Sequence, residues 1–113
     1  MTTVPTQMQA IETSGAGGPD VLRLTTRPVP QPAAGEVLVK VTAAGVNGPD
    51  MMQRKGLYPA PKGTSDLLGL EVSGEVVAVG DQVSRWKTGD KIVALTNGGG
   101  YAEYVTKIGR AHV

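Results

Sequence analysis

The chain has no cysteine and no phenylalanine, and only one histidine and one tryptophan, among its 113 residues. Without cysteine there is neither a disulfide framework nor a thiolate metal site, which fits a reducing compartment. No stretch approaches the roughly 18 consecutive apolar residues of a membrane helix, and no signal-peptide core stands near the start. A soluble, cytoplasmic protein with no membrane partner is the expectation. An excess of one charge is missing as well: eleven Lys and Arg against ten Asp and Glu leave a formal +1. With no basic run, no nucleic-acid partner is expected.

Turn formers are plentiful. Sixteen glycines and eight prolines beside many valines point to short strands around an aliphatic core, as in small all-β barrels. At this length the chain reads as one domain that buries roughly two-thirds of its unfolded surface.

The run from Gly69 to Gly80, Gly-Leu-Glu-Val-Ser-Gly-Glu-Val-Val-Ala-Val-Gly, is the longest β-prone stretch and reads as a largely buried central strand. Gly74 inside it marks a bulge, a sharp bend or a close backbone approach. Glu71 is either an edge carboxylate reaching solvent or a group facing a wet cleft, because an isolated buried charge is strongly unfavourable.

The other elements arrange themselves about that strand. Met8–Glu12 and Val21–Arg27 alternate as two strands joined by the turn-rich Ser14–Asp20. That glycine cluster lacks the spacing and the Gly-Lys-Ser/Thr of a phosphate loop, so a hairpin loop is the reading. Pro28, Pro30 and Pro32 close the second strand by removing donors and fixing φ. Val37, Val39 and Val41 share one face of a third strand that should pair with the central one.

Asn47-Gly48-Pro49-Asp50 has the grammar of a helix start, with a capping side chain, an early proline and an acid at the positive end of the dipole. The spacing predicts a helix over Pro49–Arg54, ended by Gly56 and followed by an irregular loop from Leu57 to Gly63. Trp86 is expected to cover one end of the barrel core. Lys91–Leu95 and Tyr101–Val105, separated by the turn Asn97–Gly100, read as the last strands.

Four motifs stand in order: Gly45-Val46-Asn47-Gly48-Pro49-Asp50, Gly56-Leu57-Tyr58-Pro59, Gly69-Leu70-Glu71-Val72-Ser73-Gly74 and Gly89-Asp90-Lys91-Ile92-Val93. In them, from about Met8 to Thr106, the chain resembles the N-terminal domain of the zinc-free quinone oxidoreductases of the medium-chain dehydrogenase/reductase superfamily, nearest the p53-inducible branch. The resemblance implies a mainly β, partly open GroES-like barrel with one or two short helices. It also implies that the chain stops before the Rossmann domain that would hold the dinucleotide.

What the resemblance implies about function follows. The activity is hydride transfer from NADPH to a quinone or enone, by a protein that is a homodimer at full length. Asn47 and Asp50 are implied as cofactor-binding residues, and Tyr58 as the catalytic residue on the wall of the acceptor pocket. Zinc-dependent relatives carry cysteine where Asn47 stands and histidine where Leu70 stands. An amide and an isobutyl group cannot replace those ligands, so no metal is expected. Asn47 offers two donors and an acceptor to a neutral ligand group, or serves as a helix cap alone; the two roles are compatible. Asp50 more often caps and orients than transfers protons. Tyr58 either stacks on a flat ring or is a partly exposed loop aromatic.

Two further expectations concern the chain as a whole. The alternative function is a non-catalytic GroES-like interaction module, although neither the mobile apolar loop nor the ring-forming edge of a co-chaperonin is evident. The domain is expected to span residues 1–106. Lys107–Val113 reads as a non-native tail, because in-frame translation of the opening bases of a common short-read sequencing adapter gives this heptapeptide.

Overall fold

The computed structural model describes residues 4–57 and 65–108. Six strands and one helix follow in the order β1 (Gln7–Thr13), β2 (Leu22–Pro28), β3 (Glu36–Ala44), α1 (Gly48–Arg54), β4 (Glu71–Val79), β5 (Lys91–Leu95) and β6 (Tyr104–Ile108). One 3-10 turn, Pro19–Val21, precedes β2. It takes Val21 out of the expected second strand because Pro19 presets a helical φ at its start.

β1 and β2 form an antiparallel hairpin, and the other strands form a sheet in the order β5-β4-β3-β6. The expected central strand is central, with β3 on one side and β5 on the other. Among the described residues the two sheets meet at the isolated bridge Ala10↔Ala102. Around it, Ile11 N–H donates to the Tyr101 carbonyl at 2.8 Å and Glu103 N–H to the Gln9 carbonyl at 3.1 Å. The result is the partly open, mainly β barrel that the sequence led one to expect.

Valine alternation fixes which face is buried. Val37 and Val39 pack with Val72, Val76, Trp86, Ile92, Ala94 and Val105 in one core cluster, and Val41 packs against it. Leu38 faces the other way, into a second cluster with Met8, Val77 and Tyr104. Two register shifts in the β3–β4 ladder, at Leu38/Val39 and at Val41/Ala43, bend the sheet, as bulges do. Gly74 sits at the second shift, paired with Val41, and its missing side chain admits the Lys40 carbonyl. Trp86 is 8% exposed and belongs to the main cluster.

The last strand differs from its expected position. β6 begins at Tyr104 instead of Tyr101 and runs through Lys107 and Ile108, which pair with Val37 and Glu36. Tyr101–Glu103 instead connects the sheets: the Tyr101 N–H donates to Leu68 and its carbonyl accepts from Ile11, while Glu103 donates its N–H to Gln9 of β1 and accepts at its carbonyl from Val41 of β3. Lys107 and Ile108, read as lying outside the domain, therefore take part in its sheet; the residues after them lie outside the described ones.

Candidate functional site

Asn47 stands at the N-cap of α1 in an extended conformation, φ −126° and ψ 161°. Pro49 starts the helix without losing a hydrogen bond, since its N–H would have been an orphan of the first turn. Asp50 closes the helix start from its own side: Asp50 Oδ2 accepts the Asn47 backbone N–H at 3.1 Å, and the Asp50 N–H donates to the Asn47 carbonyl at 3.0 Å. The Asn47 side chain turns towards β4, where its Nδ2 lies 3.5 Å from Glu71 Oε1. Gly45 leaves room for this arrangement, because a Cβ there would displace the Glu71 carboxylate from beside Asn47.

The burial of Asp50 goes beyond what a helix cap requires. It is 2% exposed, whereas a capping carboxylate needs only one backbone donor and can stay in water. Its second partner is Tyr101, whose hydroxyl donates to the same Oδ2 at 2.8 Å. Asp50 Oδ1 is buried and has no hydrogen-bond partner among the described residues. Burial, and then the hydrogen bond to Asp50, push the Tyr101 phenol up to about 12 from its ordinary 10.0.

Tyr101 is held from outside the helix. Its N–H donates to the Leu68 carbonyl at 3.0 Å, and its carbonyl accepts from Ile11. Its ring lies over Gly69, which has φ +104°; a Cβ there would sit 2.7 Å from Tyr101 Cδ1. Thr96, itself buried, secures the same turn by donating its hydroxyl to the Gly69 carbonyl at 3.0 Å and its N–H to the Leu70 carbonyl at 2.8 Å. Asp50, the Gly69–Glu71 segment and Tyr101 are thus brought together from three separated parts of the chain.

Of the expected site residues, Asn47 and Asp50 come together at the start of α1, with Glu71 beside them. Tyr58 lies outside the described residues. Tyr101 was not singled out by its sequence context, and the only signal for it was a tyrosine directly after three glycines. Among the described residues no group of three or more His, Cys, Asp or Glu side chains could hold a metal ion. The cluster instead combines two carboxylate acceptors with an amide that both donates and accepts, a set suited to a neutral ligand group. A cavity of about 240 Å³ lined by Ser65, Leu67, Asn97, Tyr104 and Lys107 lies elsewhere and includes none of these groups.

Both ends of the segment that carries Tyr58 are tied to the hairpin. Arg54 Nε donates to the Gly17 carbonyl at 3.1 Å, and the Gly17 N–H returns a bond to the Arg54 carbonyl at 2.9 Å. On the far side, Arg27 grips Asp66 with both Nη atoms, at 3.1 and 2.9 Å, and reaches Glu12 at 3.2 Å. The Arg27 guanidinium holds the Asp66 carboxyl below its ordinary 3.8. Among the described residues, no helix is long and apolar enough to cross a membrane.

Residues 33–111 match the family described as the alcohol dehydrogenase GroES-like domain. The chain is 44% identical over 99 residues to a quinone oxidoreductase of Lama guanicoe, covering 86% of this chain and 30% of that protein. It is 38% identical over 99 residues to the synaptic vesicle membrane protein VAT-1 homolog-like of Mus musculus, covering 88% of this chain and 24% of the relative. A solved mycobacterial structure complexed with NADPH superposes with a TM-score of 0.80 at 40% identity, over 94% of this chain and 32% of that one. The chain therefore spans about a quarter to a third of the length of these relatives.

Proposed function

The chain belongs to the alcohol dehydrogenase GroES-like domain family, and on that premise we propose that it is the acceptor-side domain of an NADPH-dependent, zinc-independent quinone oxidoreductase. One arrangement carries this reading. At the start of α1, Asn47 and the buried Asp50 gather beside Glu71, while an amide and an isobutyl group occupy positions 47 and 70, where a metallo-relative has its thiolate and imidazole. The relatives named quinone oxidoreductases agree with it.

The residues present fit the neutral end of a dinucleotide. Among the described residues no ion pair involves Asp50 or Glu71, and carboxylates without a cation repel phosphate and favour hydroxyl or carboxamide donors. Asn47 would meet the nicotinamide ribose and ring with its amide, and Asp50, the other residue read as cofactor-binding, would hold the start of α1 that presents it. Tyr58 would form the wall against which the acceptor ring stacks, its hydroxyl reaching a carbonyl oxygen. Bound NADPH would supply a hydride, so that a quinone takes up hydride plus one proton and leaves as hydroquinone. What this domain adds is orientation of the two reactants and exclusion of water from between them.

By itself this domain is expected to show no turnover, since it carries no glycine-rich strand-turn-helix for a pyrophosphate. Full-length homodimers and a quinone or enone acceptor belong to the same proposal. The test is expression of the whole reading frame that contains this chain, followed by NADPH oxidation with ortho- and para-quinones. Turnover is expected, with KM for the quinone raised in Tyr58→Ala. Failure to oxidise NADPH with either class of quinone would leave the interaction-module reading in its place.

A further inference from the structure

The hairpin parts from the sheet at Glu103. The Glu103 carbonyl turns inward and accepts the Val41 N–H of β3 at 2.8 Å, and the Gln9 N–H of β1 takes the Glu103 side chain instead, at Oε1 and 2.6 Å. Beyond this point β6 has β3 on one side and stands at the end of the sheet order. Bonds in an antiparallel ladder fall on alternate residues. With Val41 bonded to Glu103, those of β6 fall on Val105 and Lys107, which pair with Val39 and Val37. The N–H and C=O of Tyr104 and Thr106 therefore point away from β3, where among the described residues they meet no backbone partner.

A cavity of about 240 Å³ lies along this edge. It touches four consecutive residues of β6, Tyr104–Lys107, whose side chains alternate between the two faces; with β3 on the inner side, such a cavity runs along the outer edge. Met8 of the hairpin walls it on one flank, and Leu67, Leu95 and Gly99 wall it on the other. Tyr104 is 6% exposed, its ring packed with Met8, Leu38 and Val77, and its hydroxyl makes no hydrogen bond among the described residues. Donors and acceptors in such surroundings call for partners. Among the described residues of the lining only Glu36 and Lys107 are charged, one of each sign, so the cavity does not select a charged ligand.

We propose that this cavity binds a short neutral peptide in extended conformation, which adds to β6 as a further short strand. One residue of the ligand donates its N–H to the Tyr104 carbonyl and accepts the Thr106 N–H at its own carbonyl. The Tyr104 hydroxyl donates to the preceding acyl oxygen, and a branched apolar side chain fills the remaining space against Leu67 and Leu95. Walls on both flanks admit a single narrow chain and exclude the sheet edge of a second copy of the protein. The site is separate from the cluster at α1 and does not depend on the NADPH reading.

The test is saturation-transfer NMR titration of N-acetyl-valine N-methylamide against the product of the whole reading frame, alongside urea midpoints. The comparisons are N-acetyl-N-methylvaline N-methylamide, which lacks the valine N–H, and the variant Thr106→Pro. Proline at 106 removes an outward N–H and leaves the ladder bonds to β3 in place. Saturable binding is expected, weakened about tenfold by either change and unaffected by NADPH. Absent binding, as would follow if the rest of the polypeptide covered the edge, overturns the proposal. So do equal affinities for the two amides, displacement by NADPH, or a folded Thr106→Pro protein that binds as wild type. If Thr106→Pro does not fold, Tyr104→Phe serves instead: lost affinity supports the assignment and retained affinity overturns it.

Discussion

Gly74 of β4 lies against the Lys40 carbonyl of β3, so close that a Cβ at position 74 would overlap that oxygen and approach Val39 Cγ1 to 2.9 Å. The contact falls at the register shift after Val41, where the sheet turns from its straight run into the barrel wall.

Gly74→Ala should therefore destabilise the domain by about 1–3 kcal/mol, the cost of forcing extra volume against backbone that has nowhere to move. Urea unfolding followed by the single tryptophan, Trp86, reads it, since that ring is part of the same core cluster. An unchanged midpoint would mean that β3 gives way more easily than its two-sided pairing implies.

The Tyr101 phenol gives a pH signature. Burial and the Asp50 hydrogen bond raise it to about 12 from 10.0, so the folded state keeps a proton that the unfolded state releases. The stabilisation is fully present below pH 10 and is lost as the pH rises towards 12. Ultraviolet titration should show a tyrosine that ionises late and disappears in Tyr101→Phe. In Asp50→Asn its value should move back towards 10 but stay above it, because burial remains. A late tyrosine indifferent to Asp50 would contradict the hydrogen bond.

The sheet was legible in the sequence because it rests on local alternation. Val37, Val39 and Val41 on one face and Leu38 on the other are where period two puts them, and the glycine-bounded run from Gly69 to Gly80 became the central strand. The start of α1 was equally readable from Asn47, Pro49 and Asp50. The site was less so. Tyr101 meets Asp50 across 51 residues of chain, and no pattern at either position announces the other. The same cause moved the last strand: Tyr101, Ala102 and Glu103 alternate as strand residues do, but the backbone hydrogen bonds of Tyr101 and Glu103 divide among Ile11, Leu68, Gln9 and, at the Glu103 carbonyl, Val41 of β3, all distant in sequence. Bulges were foreshadowed by Gly74 alone, since an extra residue in a ladder leaves no trace in hydrophobic period.

Arg27 ties the hairpin to Asp66, and the strength of that tie should be small and salt-dependent. Both partners are partly exposed, with the Asp66 side chain 73% accessible, so Arg27→Gln should cost no more than about 1 kcal/mol, fading as salt is added. The Asp66 carboxyl is held below 3.8, so this stabilisation is present above that pH and is lost as the pH falls through the lowered value. Urea midpoints of wild type and Arg27→Gln at low and high salt, and at neutral and acid pH, check it. A difference that survives both salt and acid would point to packing of the arginine stem instead.

The proposed hydride chemistry needs no metal at Asn47 and Leu70. The most direct measurement is quinone-dependent NADPH oxidation by the purified product of the whole reading frame, before and after exhaustive treatment with a zinc chelator, with metal content determined on the same samples. Unchanged turnover, with zinc well below one per subunit, is the predicted result. Stoichiometric zinc, with activity lost on chelation and restored by adding zinc back, would contradict it.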